Sequence, residues 1–291
     1  MLTILPAAAE EVTFAPAGDP AASGEVVPQS IPATLTLPAG GAAPFPAVVI
    51  VHGSGGLMPA GPEMDYVSAL TAAGMATLVI DMWKARGMPT GPAAFGDAGS
   101  ADRRPRALQD TLQDAFGALK FLAAHPAIAR RRIGIVGFSW GAAVSLLTTD
   151  EGVAARALPD GTRFAAHAGH YLVCWPFVPD GPAARALQAP STGAPVQLHV
   201  AGRDDYDDAD GGAGCRAMVA SMPAPRRERT ELVVHAEATH MWDFKIPVPI
   251  TLNDRHSHKG RGGVVHVRTD ARLAAHTREM TVKFLKGAFG M

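Results

Sequence analysis

The feature that most constrains the fold of this 291-residue chain is a series of short apolar runs rich in β-branched residues. An uninterrupted run of this length, without polar alternation, is typical of a strand buried on both faces of a parallel sheet. The runs are Ala47–His52, Ala76–Asp81, Arg132–Phe138, Val196–Ala201 and Glu231–His235, with His167–Trp175 as a less regular sixth. An earlier run, Ile31–Leu37, is interpreted as an edge strand that ends at Pro38.

Helical patterns lie between these runs. Apolar side chains recur every three or four residues over 64–73, 106–124 and 271–288. Buried strands that alternate with amphipathic helices predict βαβ units and a mostly parallel central sheet with helices on both faces. The alternation continues without an obvious linker, so we expect one α/β domain over residues 31–291. Residues 1–30, rich in Ala, Pro and Gly, are expected to be an irregular N-terminal segment.

Charge and hydropathy exclude several function classes. The chain has 26 Lys and Arg against 27 Asp and Glu, so it lacks the basic excess of a dedicated nucleic-acid binder. The same balance gives no reason for docking on anionic membranes, and no apolar run reaches the roughly 18–20 residues of a membrane span. The N-terminus lacks the basic and apolar regions of a signal peptide, which favours a cytoplasmic location. A chain from which a leader had been removed would look the same.

The string Gly137-Phe-Ser139-Trp-Gly141 is the most informative about chemistry. It follows a buried-strand run directly and precedes a segment of small residues with helical character. This context predicts a nucleophile elbow, in which a strained turn between strand and helix holds the Ser139 hydroxyl clear of the sheet. The flanking glycines avoid Cβ clashes, and the helix N-terminus places partial positive charge beside the serine. The simpler alternative is an ordinary strand-to-helix turn with a capping serine.

A second glycine-rich turn, His52–Gly56, follows the first of the buried runs. In this architecture, backbone N–H groups from that turn and from the residue after the nucleophile hold the oxyanion of the reaction. The expected donors are therefore the N–H groups of Ser54 and Trp140, with His52 as a structural hydrogen-bonding residue rather than a base. The alternative is a strand-to-helix turn that needs glycine only for its backbone conformation.

The order of residues along the chain indicates which of them would activate the serine, because in this fold the nucleophile comes first, the acid second and the histidine third. Asp205, three residues after Gly202 and just past the fourth buried run, is the first choice for the acid, and Asp204 is the alternative. His240, in the loop after the last run, is the expected base.

The other acidic and histidine residues near these positions are interpreted without a catalytic role. Asp207, Asp208 and Asp210 are expected to form a solvated or helix-capping loop. His256 and His258 form a closely spaced pair, but no further ligand set accompanies them. The sequence therefore predicts neither a metal nor a cofactor.

Several of these strings resemble the dienelactone hydrolase family of α/β-hydrolases. They occur in order from about residue 30 to the C-terminus and are specific at the level of the family. The similar segments are His52–Gly56, Asp81–Gly87, Gly137–Gly141, Gly202–Tyr206 followed by Cys215, and Ala238–Asp243. The resemblance implies an α/β-hydrolase fold with Ser139 as nucleophile, Asp205 or Asp204 as acid and His240 as base.

The chain departs from the best-known members of that family at two positions. Those enzymes use a cysteine nucleophile where this chain has Ser139, and a first-loop glutamate where it has Gly53. The thiol-activating device is therefore absent, and a general serine esterase fits better than an enzyme for dienelactone. Cys174 and Cys215 lie near positions where family members carry cysteines, and a disulfide between them would imply an oxidising compartment.

The substrate pocket is expected to be apolar. Arg86 is a candidate for binding a substrate carboxylate through its planar guanidinium, with a structural salt bridge as the alternative. The expected walls are Trp83, Trp140, Phe177, Trp242 and the loop Met88–Gly99.

Together, these residues predict a metal-independent serine hydrolase that cleaves small-molecule carboxylic esters through an acyl-enzyme. An acyltransferase or a peptidase would use the same triad, and a non-catalytic binding protein on a hydrolase scaffold is a rival of another class. The sequence leaves the acyl group, the alcohol group and the oligomeric state open.

Overall fold

A computed structural model of the protein describes residues 9–18, 28–91 and 108–291, except for the side chain of Gln109. The strands in these ranges are β1 (Ala9–Phe14), β2 (Ile31–Thr36), β3 (Phe45–Val51), β4 (Ala76–Ile80), β5 (Ile128–Phe138), β6 (Ala166–His170), β7 (Val196–Ala201), β8 (Thr230–His235), β9 (Ile250–Asp254) and β10 (Gly263–Val267). The longer helices are α1 (Glu63–Ala72), α2 (Leu108–Ala124), α3 (Trp140–Leu147), α4 (Glu151–Ala157), α5 (Ala213–Ser221) and α6 (Ala271–Phe289). Short helical segments cover Lys84–Arg86, Trp175–Phe177, Ala184–Leu187, Asp205–Asp207, Ala224–Arg227 and Ser257–Gly260.

Within the described ranges, β1 to β8 form one sheet in the order β1-β2-β4-β3-β5-β6-β7-β8. The pairs β1–β2 and β2–β4 are antiparallel, and the other neighbouring pairs are parallel. This sheet confirms the expected mostly parallel α/β architecture. The carboxyl ends of the parallel strands meet at one edge, where ligands bind in open α/β sheets.

Burial on both faces explains why strand β3 shows no polar alternation. In β3, the side chains from Ala47 to Val51 are all 0% exposed. Successive side chains of a strand point to opposite faces, so Ala47, Val49 and Val51 pack into one apolar cluster and Val48 and Ile50 into another. Helix α2 contributes to the first cluster, and α1 and α6 contribute to the second.

The N-terminal segment differs from the irregular chain expected over residues 1–30. Ala9–Phe14 forms β1, which pairs with β2, so β2 is not the edge strand. Only the end of β1 is buried, where Phe14 packs against Phe121 with ring centroids 5.9 Å apart. Because an edge strand buries so little, its apolar pattern in the sequence is weak. Residues 1–8 and 19–27 lie outside the described ranges.

An antiparallel hairpin of β9 and β10 separates the last sheet strand from α6. The expected loop over residues 256–261 is the connection of this hairpin. Val265 and Val267 of β10 are buried and join the second apolar cluster, which holds the hairpin against the body of the protein. In the part of the chain that is described, no helix has both the length and the apolar character needed to cross a lipid bilayer.

Candidate active site

Ser139 occupies the turn between β5 and α3. Its φ is 51° and its ψ is −109°, a conformation that costs a non-glycine residue about 1–3 kcal/mol. The flanking glycines are required by close approach of the backbone. A Cβ on Gly137 would overlap the carbonyl of Gly141, and a Cβ on Gly141 would overlap the carbonyl of Val51. The turn therefore has the geometry of the predicted nucleophile elbow.

The Ser139 hydroxyl is hydrogen-bonded to a buried histidine, which is paired with a buried carboxylate. Ser139 Oγ lies 2.9 Å from His240 Nε2, and His240 Nδ1 lies 2.7 Å from Asp204 Oδ2. Asp204 is 2% exposed and His240 is 3% exposed. Because the carboxylate accepts the Nδ1 proton, the neutral ring presents its Nε2 lone pair to the serine hydroxyl.

The first choice of acid, Asp205, requires correction. Its Oδ2 accepts hydrogen bonds from the backbone N–H of His266 at 2.7 Å and from the His266 ring at 2.9 Å, on strand β10. The chain enters a short helical turn at Asp205, so the side chains of Asp204 and Asp205 point in different directions. Asp204, the alternative, is the carboxylate that contacts His240.

Of the remaining acidic residues of this loop, Asp210 accepts the backbone N–H of Gly214 in the first turn of α5 at 2.9 Å, as a helix-capping residue would, whereas Asp207 and Asp208 have other partners. Asp207 is buried and accepts the backbone N–H groups of Cys174 at 2.8 Å and Trp175 at 2.7 Å. Burial raises the pKa of its carboxyl to about 7, with the neighbouring Asp204 as the next cause. Asp208 forms an ion pair with Arg261 at 2.7 Å, which lowers its pKa. The loop therefore connects His240, the segment after β6 and the β9–β10 hairpin.

Two aromatic rings contact the imidazole of His240. The ring centroids of Tyr171 and Tyr206 lie 4.9 and 4.6 Å from that of His240. The Tyr206 hydroxyl donates a hydrogen bond of 2.8 Å to Asp254 at the end of β9. Neither tyrosine was recognised as part of the site from the sequence, although Tyr206 lies within the acid-loop string. Their packing restricts the orientation of the histidine ring.

The expected oxyanion donors are the backbone N–H groups of Ser54 and Trp140. Within the described turns and loops, the backbone hydrogen bonds include none donated by the N–H groups of Ser54 or Trp140. Both residues line the same cavity as Ser139. The role of these two N–H groups as oxyanion donors stays a prediction.

His52 fixes the peptide unit that carries the Ser54 N–H. The backbone N–H of Met82 donates to His52 Nε2 at 3.1 Å, so the ring proton is on Nδ1, which lies 2.7 Å from the Gly53 carbonyl oxygen. Burial lowers the pKa of His52, which favours the neutral ring that this pair of bonds needs. The carbonyl and N–H of a trans peptide point in opposite directions. His52 therefore directs the Ser54 N–H away from its own ring.

The three residues expected to bind substrate have structural roles instead. Arg86 forms an ion pair with the buried carboxylate of Asp114 at 2.6 Å, which is the salt-bridge alternative. Trp83 is fully buried and donates its indole N–H to the Ser54 carbonyl at 2.8 Å, so it stabilises the turn that contains Ser54. Trp242 is also fully buried, with its ring packed against Tyr171. Neither tryptophan lines a cavity at Ser139.

A cavity of about 430 Å³ opens beside Ser139. Its apolar walls include two residues of the expected set, Trp140 and Phe177, together with Leu108, Val173, Trp175 and Ala183. The β9–β10 hairpin contributes Asp254, Arg255 and His256. Of the loop expected in the wall, residues 92–99 lie outside the described ranges, and Met88 is buried away from the cavity.

A second cavity, of about 20 Å³, is also lined by Ser139. Residues 53–56 of the glycine-rich turn after β3 form one wall of it, and His240 forms another. The rest of the lining consists of Met58, Phe138, Tyr171, Tyr206, Met241 and Phe244.

Cys174 and Cys215 form a disulfide that joins the segment after β6 to α5. These two cysteines and Asp207 are the one group of three metal-type ligands found among the described residues. Because both sulfurs are in the disulfide, the group cannot offer thiolates to a metal. His258 donates a hydrogen bond from Nε2 to the Val264 carbonyl at 2.8 Å, so it serves the hairpin turn.

Comparison of the sequence with models of known protein families identifies one family that matches most of the chain. A sequence model described as "Dienelactone hydrolase family" matches residues 31–247, about three quarters of the chain. The matched range includes the residues that surround Ser139 in the sheet, and it ends before the β9–β10 hairpin. A comparison with curated protein sequences finds no significant match.

Solved structures share the fold at low sequence identity. A putative dienelactone hydrolase from Klebsiella pneumoniae is 15% identical with a TM-score of 0.64, and the alignment covers 97% of this chain and 99% of that one. Esterase 2 of Thermogutta terrifontis, phosphorylated by paraoxon, is 16% identical with a TM-score of 0.61 and coverage of 98% and 95%. A dienelactone hydrolase-like promiscuous phosphotriesterase from metagenomic libraries is 17% identical with a TM-score of 0.57 and coverage of 97% and 98%.

Proposed function

Since the chain belongs to the dienelactone hydrolase family, we propose that it is a serine hydrolase that cleaves carboxylic esters. Ser139 is the nucleophile, His240 the general base and Asp204 the acid that orients the base. The observation that carries this proposal is the chain of two hydrogen bonds, 2.7 Å from Asp204 to His240 and 2.9 Å from His240 to Ser139.

Acylation begins when the ester carbonyl lies beside Ser139 with its oxygen at the N–H groups of Ser54 and Trp140. Ser139 Oγ attacks the carbonyl carbon while His240 Nε2 takes the hydroxyl proton. The negative charge moves to the carbonyl oxygen, where the two N–H groups stabilise it. The imidazolium then gives its proton to the alkoxide oxygen, the ester C–O bond breaks and the alcohol leaves. Asp204 stabilises the imidazolium throughout and holds the Nδ1–H tautomer.

Deacylation repeats these steps with water. His240 removes a proton from a water molecule, whose oxygen attacks the acyl carbon of the acyl-enzyme. Collapse of the second oxyanion breaks the bond to Ser139 Oγ, which recovers its proton from His240. The products are one carboxylic acid and one alcohol for each water consumed.

Replacement of the nucleophile tests the proposal. We expect Ser139→Ala to lower the rate of p-nitrophenyl acetate and p-nitrophenyl butyrate hydrolysis by about 10³-fold or more, because triads lose several orders of magnitude with any member removed. Ser68→Ala, at an exposed serine on α1, is the matched control and should retain the wild-type rate. Equal rates for Ser139→Ala and the wild type would contradict the assignment and favour a binding protein on a hydrolase scaffold.

The disulfide supports a location other than the expected cytoplasm. Structural disulfides persist in oxidising compartments and are rare in the cytosol. We therefore propose that the protein works in the periplasm or outside the cell. Thiol titration of the unfolded, unreduced protein should find no free thiol, whereas two free thiols would overturn this proposal.

A further inference from the structure

The two cavities at Ser139 differ greatly in size. Among the described residues, the larger encloses about 430 Å³ and the smaller about 20 Å³. Both are lined by Ser54 and Ser139, so both open on the point where an ester carbonyl would be attacked. An ester bound there has one substituent on each side of its carbonyl. The two substituents must therefore differ in size.

The position of His240 determines which side receives the alcohol. The leaving alkoxide takes its proton from His240 Nε2, so its oxygen must come within hydrogen-bond reach of that atom. His240 lines the small cavity and does not line the large one. The alcohol part of the ester consequently lies in the small cavity, and the acyl part lies in the large cavity.

The sizes of the two cavities define a substrate class. A volume of about 20 Å³ holds roughly one water molecule, so it has room for a methyl group and excludes a ring. A volume of about 430 Å³ falls in the range of pockets that bind drug-sized ligands. The aromatic rings of Trp140, Trp175 and Phe177 line this larger space and suit an aromatic or branched apolar acyl group.

We propose that the substrates are methyl or similarly small-alcohol esters of bulky, apolar carboxylic acids. The inference rests on the proposed serine hydrolase function and adds the direction in which the ester binds. The small cavity then serves both half-reactions, because it holds the alkoxy group during acylation and the attacking water during deacylation. Activated p-nitrophenyl esters do not test this direction, since p-nitrophenolate is a stable anion that leaves without a proton from His240.

Two isomeric esters test the direction of binding at constant composition. Methyl 3-phenylpropanoate has a bulky acyl group and a small alcohol, and 2-phenylethyl acetate has the reverse, with the same molecular formula and similar intrinsic reactivity. We expect kcat/KM for the methyl ester to exceed that for the acetate by at least about tenfold, since pocket fit of even one methylene discriminates by that much. Equal values, or a preference for the acetate, would overturn the inference and leave the proposed hydrolase function standing. If neither isomer nor p-nitrophenyl acetate is cleaved, the proposed function itself fails, and the inference fails with it.

Variants that alter one cavity at a time provide a second test of the inference. Ala183→Phe places a ring in the large cavity and should lower the preference for the methyl ester at least about tenfold. Phe244→Ala enlarges the small cavity and should raise the relative rate on 2-phenylethyl acetate. Ala184→Phe, at the next residue along the chain and outside the cavity lining, is the matched control and should keep the wild-type ratio. Thermal unfolding of each variant checks its folding, and an unchanged ratio in folded Ala183→Phe and Phe244→Ala would contradict the inference.

Discussion

At the scale of single residues, Asp204 and Asp205 are neighbours with the same side chain and different surroundings. The Asp204 carboxylate is buried against His240 and also accepts the backbone N–H of Tyr206 at 3.0 Å. The Asp205 carboxylate binds His266 near the surface. The position of the carboxylate relative to the imidazole, rather than its charge alone, is therefore what makes Asp204 the proposed acid and gives Asp205 a structural contact.

Substitution of the two residues distinguishes these roles. We expect Asp204→Asn to lower kcat by about 10³–10⁴-fold, because an amide at this position favours the wrong histidine tautomer and cannot stabilise the imidazolium. Asp205→Asn should keep a kcat close to that of the wild type. The measurement is steady-state hydrolysis of p-nitrophenyl butyrate by both variants. A larger loss in Asp205→Asn than in Asp204→Asn would restore Asp205 as the acid.

His52 is expected to act on catalysis through the peptide that it orients. A glutamine side chain in its place would offer an acceptor near the position of Nε2 for the Met82 N–H but lose the donor to the Gly53 carbonyl, whereas an asparagine side chain would keep that donor. We therefore expect His52→Gln to lower kcat by about 10²-fold, the cost of one weakened oxyanion donor, with little change in KM. His52→Asn should lower kcat much less, although its unpaired Met82 N–H lowers the melting temperature. Equal losses of kcat in the two variants would show that the Nδ1 donor has no special role.

At the scale of elements, the loop over residues 204–210 joins three parts of the site. It orients His240 through Asp204, holds the β9–β10 hairpin through Asp205 and Asp208, and anchors the start of the Trp175–Phe177 wall through Asp207. The disulfide anchors the same wall, because Cys174 directly precedes Trp175 and is bonded to Cys215 of α5. The large cavity is therefore shaped by two elements that one acidic loop keeps in place.

The sequence predicted those strands and turns whose pattern is contained in one short stretch of consecutive residues. The central strands are buried on both faces, so their apolar runs identify them without knowledge of their neighbours. The elbow at Ser139 was predicted for the same reason, since its two glycines and its strand–turn–helix context are contiguous. The β9–β10 hairpin was missed because its five-residue strands are mostly exposed on one face and give a weak pattern.

The roles of individual side chains depended on distant parts of the chain. Arg86, Trp83 and Trp242 are residue types that often bind ligands, but Asp114, the Ser54 carbonyl and Tyr171 hold them inside the protein. The choice between Asp204 and Asp205 depended on one backbone turn. Side-chain direction at these positions is set by tertiary packing, which spacing in the sequence does not encode.

At the scale of the whole molecule, burial shifts the pKa values of several ionisable groups in the direction that favours their neutral forms. His170, His199 and His235 stack on three successive strands with ring centroids 4.9 and 5.3 Å apart. Burial lowers the pKa of His170 well below its usual value, that of His199 to about 3 and that of His235 to about 4. On the same side of the sheet as α1, burial raises the pKa of Glu63 to about 8 and that of Asp243 to about 7.

The Glu63 carboxyl gives a stability prediction that depends on pH. In the unfolded chain this group loses its proton near its ordinary pKa of 4.5, whereas the folded protein keeps the proton until about pH 8. The neutral carboxyl therefore stabilises the folded protein fully below pH 4.5, and this stabilisation is lost as pH rises from 4.5 to about 8. The melting temperature of Glu63→Gln minus that of the wild type should therefore increase by about 5 °C or more from pH 5 to pH 8. Asp65→Asn, at a more exposed acid of the same helix, is the control, and a constant difference for Glu63→Gln would contradict the prediction.

The site of covalent labelling shows whether Ser139 is a nucleophile that His240 and Asp204 activate. Paraoxon transfers a diethylphosphoryl group to an activated serine and releases p-nitrophenol, and the stable phosphoryl-serine can be located by peptide mass spectrometry. We predict one label per chain on Ser139, with hydrolytic activity lost in step with labelling and with labelling slowed strongly in Asp204→Asn. Full activity after paraoxon treatment, or a label on another residue with Ser139 unmodified, would contradict the account.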